Sequence, residues 1–89
     1  MREYHSEEHF KKKMRIFLQK DRKRYTILLK KMQEILSCDD VAHYKNLRAP
    51  LHYLKRVHID SHFVLVFRYD ATTDTIFFYD IDHHDAIYK

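Results

Sequence analysis

Eight histidines stand among 89 residues, and four of them, His58, His62, His83 and His84, fall between residues 58 and 84. Imidazole titrates near neutral pH, so it accepts or releases a proton with little tuning. Two such groups and a few cations are enough to cleave RNA without a metal. One takes the proton of a 2′-hydroxyl, which attacks the adjacent phosphate. Another protonates the departing 5′-oxygen, and cations hold the charge that builds on the phosphorane. Arg48, Lys55, Arg56 and Arg68 are the candidate cations. His58 ends one strand-like run and His62 opens the next across a tight turn, which places both at one rim of a sheet. His83 and His84 follow the last strand and can approach the same rim. The case for His58, His62 and His84 rests on this convergence. His5, His9 and His43 read as surface or capped polar residues, and His52 is left open.

The same residues allow a rival chemistry. Asp82, His83, His84 and Asp85 are conceivable metal ligands, with His58 or His62 joining them. Neighbouring side chains such as His83 and His84 rarely point at one ion, however. No Cys-x-x-Cys and no helical His-x-x-x-His spacing supports zinc, so neither a metal nor another cofactor is expected. Tyr88, Tyr53 and Phe63 are the aromatics that could stack on bases. Leu65 and Phe67 are core-facing, and Phe63 shares their side of the strand. Tyr88, at the polar end of the chain, is the better platform.

These groups need a scaffold, and hydrophobic spacing supplies one. Ser6 reads as an N-cap with Glu7 and Glu8 in the first turn. Phe10, Met14, Phe17 and Leu18 then share a helical face. Asp21 breaks the pattern and caps a second helix carrying Tyr25, Leu28, Leu29, Met32, Ile35 and Leu36, which ends near residues 37–40. A short strand at Arg2–His5 precedes this helical hairpin. Residues 41–50 form a connection with some helical tendency. Strands follow at Leu54–Ile59, His62–Tyr69 and Thr75–Ile81, with turns at Asp60-Ser61 and residues 70–74. Residues 82–89 form a loop or one helical turn. The expected fold is α+β: one domain, residues 1–89, with the hairpin covering one face of a three- to four-stranded, mainly antiparallel sheet.

Composition sets the remaining bounds. Hydrophobic residues make up 45% of the chain, which argues against disorder. A net charge of +4 suits an anionic partner such as RNA. The lone Cys38 excludes an internal disulfide and fits a reducing cytoplasm. Phe63–Phe67, the longest strongly apolar stretch, is far too short for a membrane span, and no segment resembles a signal peptide. With no glycine in the chain, turns must be made by Asp, Asn, Ser, Thr or Pro.

The runs Tyr44-Lys45-Asn46-Leu47-Arg48, Leu54-Lys55-Arg56-Val57-His58-Ile59, Phe63-Val64-Leu65-Val66-Phe67 and His83-His84-Asp85-Ala86-Ile87-Tyr88 together resemble the RelE/ParE toxin superfamily, most closely its YafQ-like branch. The resemblance implies the toxin of a type II toxin–antitoxin system: a metal-independent endoribonuclease that cuts mRNA on the ribosome and is silenced by a cognate antitoxin, with a possible heterotetramer of the two. By position, His58 matches a catalytic histidine of that branch. His84 matches its C-terminal histidine, Tyr88 the aromatic four residues later, and Phe63 an aromatic at the strand start. His62 stands where the branch has an acidic residue, and Arg56 replaces a second one. An upstream histidine of the branch has no counterpart, Leu47 or Arg48 lying there, and the arginine that RelE proper places near Phe63 or Val64 is absent. Lys55, Arg56, Arg48, Arg68 and His83 complete the expected RNA-binding set. Two alternatives share the scaffold: a ParE-like toxin that inhibits DNA gyrase without cleaving anything, and an inactive member that only binds its antitoxin.

Overall fold

A computed structural model of the protein describes residues 1–88. Strand β1 (Glu3–Ser6), helix α1 (Glu8–Lys20) and helix α2 (Arg22–Ser37) come first, followed by a 3₁₀ turn at Val41–His43. Strands β2 (Lys55–His58), β3 (Phe63–Asp70) and β4 (Thr75–His83) then lead into a four-residue turn of helix, α3 (His84–Ile87). The four strands lie in the order β1-β4-β3-β2. β2–β3 and β3–β4 are antiparallel, whereas β1 runs parallel to β4.

The pairing of β1 moves the start of α1. Ser6 was expected to cap the helix. Instead it pairs with Phe78, and the N–H of Glu7 donates to the Phe78 carbonyl at 3.0 Å. The strand therefore claims the residue that would have been the cap, and the helix begins at Glu8. Asp21 does fill its expected place. Its N–H closes α1 on the Phe17 carbonyl at 2.8 Å, and its carboxylate caps α2 by accepting the Arg24 N–H at 3.1 Å.

Both faces of the sheet are covered, unequally. On the helix side Phe10, Leu28 and Ile35 pack with Leu65, Phe67, Ile76, Phe78 and Ile81. All eight are at most 1% exposed, each worth about 1.5–3 kcal/mol of burial. On the far side a smaller cluster of Leu47, Leu54, Val64 and Val66 takes in Ile87. A bulge makes this division possible. Phe67 pairs with Phe78 and Val66 with Asp80, so Tyr79 is an extra residue on β4. Without it, strict alternation would turn Asp80 and Asp82 into the helix-side core. With it, Ile81 and His83 face the helices. β1 reaches only to Phe78, and Lys13 of α1 bonds Asp80 and Asp82 beyond that point, at 2.7 and 3.0 Å.

The β3–β4 turn replaces glycine with aspartate. Asp74 has φ of 51°, a left-handed conformation that Asp tolerates better than most residues. Its carboxylate accepts the Tyr69 hydroxyl at 2.6 Å and the Arg2 guanidinium at 2.7 Å. Arg2 also donates to the carbonyls of Ile35, Leu36 and Cys38, satisfying the open end of α2.

Candidate active site

The candidate site is built where β2, β3 and β4 end. Its foundation is the β2–β3 turn. Asp60 accepts the N–H groups of His62 and Phe63, each at 2.8 Å, on one carboxylate oxygen. Its other oxygen accepts Arg24 Nε of α2 at 2.9 Å. Burial alone would raise the Asp60 carboxyl. The Arg24 contact and the two N–H groups overcome that and hold it down at about 2. The residues flanking this turn, His58 and His62, are thereby fixed at one rim.

α3 crosses that rim. The His84 N–H donates to the His62 carbonyl at 2.8 Å, and the Tyr88 N–H to the His84 carbonyl at 2.9 Å. His84 and Tyr88 are four apart on a helical turn and so share one side of it. The Tyr88 ring lies 6.2 Å from that of His58, and the Arg56 guanidinium sits over it at 5.4 Å, a cation–π arrangement. Arg56 and His58 lie on the far face, opposite Val66 and Val64. Beside them opens a cleft of 550 Å³ lined by Asn46, Leu47, Arg48, Pro50, Arg56 and Tyr88. Two arginines over a partly apolar floor with one aromatic wall suit a nucleobase and its phosphate.

A second group gathers around His83. The rings of His62 and His83 stack at 5.9 Å, and those of His83 and His84 at 4.6 Å. One donor atom from each of His83, His84 and Asp85 lies within 4.8 Å of the others. The proximity of adjacent residues is greater than their spacing suggested. The Asp85 N–H donates to His83 Nδ1 at 3.2 Å.

Three expected RNA contacts lie elsewhere. Lys55 points to the opposite face of β2 from Arg56. Its ammonium is taken by the Tyr44 carbonyl at 3.0 Å and by Asn46 Oδ1 at 3.2 Å, so it braces the loop that lines the cleft. Phe63 faces the helices, edge-on to Phe17 at 5.4 Å and beneath the Arg24 guanidinium at 4.3 Å. Its ring is committed to the core. Arg68 shares the far face but lies four residues along β3 from Val64, the partner of His58, which is about 13 Å at the strand rise. It sits 4.1 Å over the Phe77 ring, on which His5 also stacks at 5.3 Å. Asp60 and the cleft residues Asn46 and Pro50 had no expected role at the site, and Asp85 entered only as a conceivable metal ligand.

A helical hairpin on a four-stranded sheet, with its polar groups at the strand ends, is an arrangement shared with solved toxin structures. A metal-bound toxin from Helicobacter pylori superposes with a TM-score of 0.78 at 19% identity, covering 98% of this chain and 99% of that one. The toxin–antitoxin complex DinJ–YafQ of E. coli gives 0.66 at 14% identity, covering 99% and 98%. No protein-family model matches the chain. In sequence, the protein assigned as toxin RelE4 in Methanocaldococcus jannaschii is 54% identical over 70 residues, 79% of this chain and 72% of that protein. The chain belongs to the RelE family of toxins.

Proposed function

We propose that this toxin is a metal-independent endoribonuclease acting on mRNA at the ribosome. The observation that carries the proposal is the meeting of His58, Arg56 and Tyr88 beside a cleft, with α3 bringing His84 to the same rim. The nucleotide next to the cut would stack on Tyr88, with Arg48 and Arg56 steadying its phosphate. His58 and His84 would exchange the two protons of the reaction, and His62 would assist from the adjoining stack. Arg68 is too far along β3 for the scissile phosphate and would meet a neighbouring one.

The partner is a cognate antitoxin, as YafQ has in its complex with DinJ. We propose that it silences the toxin by covering the basic cleft, in a heterotetramer of two toxins and two antitoxins. Among the described residues no helix is long and apolar enough to cross a membrane, in keeping with a site of action in the cytoplasm.

The test is primer extension on a translated message with the wild type and with His58→Ala and His84→Ala. New 3′ ends should appear with the wild type and vanish with both variants, while circular dichroism shows both folded. Cuts that persist in both variants would show that the site lies elsewhere. No cuts by the wild type, with inhibition of gyrase supercoiling, would favour a ParE-like toxin.

A further inference from the structure

We propose that Asp85 is a positioning residue that holds His83 and His84 in opposite tautomers, so that the rim presents one imidazole as hydrogen-bond donor and the other as acceptor. The catalytic consequence rests on the nuclease proposed above. The tautomers themselves do not.

Asp85 touches the two rings with two different groups. Its backbone N–H lies 3.2 Å from His83 Nδ1. An N–H can only donate, so neutral His83 must leave Nδ1 bare and carry its proton on Nε2. The Asp85 carboxylate can only accept. Its Oδ1 lies 3.1 Å from His84 Nδ1, a charge contact that favours a proton on that nitrogen and leaves His84 Nε2 with a free lone pair. The second carboxylate oxygen stands 3.5 Å from His83 Nδ1, farther than the N–H, and gains on it only when His83 is charged. One residue thus imposes contrary demands on its two neighbours. His83 becomes a donor at Nε2, and His84 becomes a base at Nε2.

The main chain prepares this arrangement. His84 is held at both backbone groups, by the His62 carbonyl and the Tyr88 N–H, so rotation of its ring is the freedom that remains. Stacking on His83 at 4.6 Å limits that rotation. The Asp85 side chain is 79% exposed, and an exposed contact of this kind is weak. It is enough here, because the two tautomers of a neutral imidazole differ little in energy. A fixed tautomer is what general-base catalysis requires, since the wrong one places a hydrogen where the lone pair should be.

The test reads the tautomers directly. Long-range ¹H–¹⁵N correlation spectra of the full chain, at a pH where both imidazoles are neutral, should show the proton on Nδ1 of His84 and on Nε2 of His83. Asp85→Asn keeps the backbone N–H but can offer an amide donor to His84. It should move the His84 proton to Nε2 and leave His83 unchanged. The same variant should cut message about tenfold more slowly, within the range for general acid–base groups, with KM unaltered. Asp85→Glu should restore both the tautomer and the rate. A wild-type His84 protonated on Nε2, or one whose tautomer ignores Asp85→Asn, overturns the proposal. Tautomers as stated in a wild type that cuts no RNA support the role of Asp85 and sink the nuclease, which keeps the two failures apart.

Discussion

Asp60 offers the sharpest link between a side chain of this fold and a measurable free energy. Its carboxyl sits at about 2 in the folded protein against an ordinary value of 3.8. At about 1.4 kcal/mol per pKa unit, the ionised form contributes roughly 2 kcal/mol to stability. Only 23% of the side chain is exposed, so solvent trims this figure without cancelling it. The sign follows from the lowered value. The contribution is whole above the unfolded carboxyl range and is lost as pH falls toward the folded one. About half should be gone by pH 3 and most by pH 2. Asp60→Asn retains an acceptor for the His62 and Phe63 N–H groups but removes the charge facing Arg24. Urea unfolding of both proteins at pH 7, 4, 3 and 2 checks this. Glu34, Asp74 and Asp82 are also held below their ordinary values, so each curve alone will fall in acid. The gap between the two curves isolates Asp60. It should stand at about 2 kcal/mol at pH 7 and close between pH 4 and 2. Curves that run parallel over that whole range would refute the argument.

Three further outcomes follow from the geometry. Lys13→Met leaves Asp80 and Asp82 facing each other without their shared cation, and should cost about 1 kcal/mol, read as a fall in Tm of about 4–8 °C. Arg48→Ala and Arg56→Ala should each flatten the dependence of log affinity on log salt for single-stranded RNA by about 0.7. Arg56→Lys should keep the slope yet lose affinity, because an ammonium stacks less well on Tyr88. Phe10→Ala empties a fully buried place against Phe78, whose ring stacks on it at 5.7 Å. A loss of about 3–5 kcal/mol should leave that variant largely unfolded in thermal melts.

Much of this architecture could be read from residue order, because periodicity reports which side of an element meets the core. Phe63, Leu65 and Phe67 alternate, and they do face the helices. Asp21 stands between two apolar stripes, and it does cap α2. What escaped was set by contacts distant in sequence. Ser6 has the chemistry of a cap, but Phe78 outbids it. Nothing local marks Tyr79 as the bulged residue, although it decides the face of everything after it. At the site, the rim shared by His58 and His62 was legible from a short turn between two strands. The opposite faces of Lys55 and Arg56 follow from strand alternation, yet both were grouped as phosphate contacts. The Arg24–Asp60 tie spans 36 residues and has no signature in spacing.

β1 carries a consequence for how the protein comes into being. Glu3 lies beside Thr75, so the first strand to leave the ribosome waits for the last. Among the described residues β4 is its sole strand neighbour. A nascent chain must therefore hold β1 unpaired until β4 has been synthesised, and such distant pairings are slow to form. Because α3 is made later still, the rim where β2 and β4 end cannot be assembled before α3 has left the ribosome.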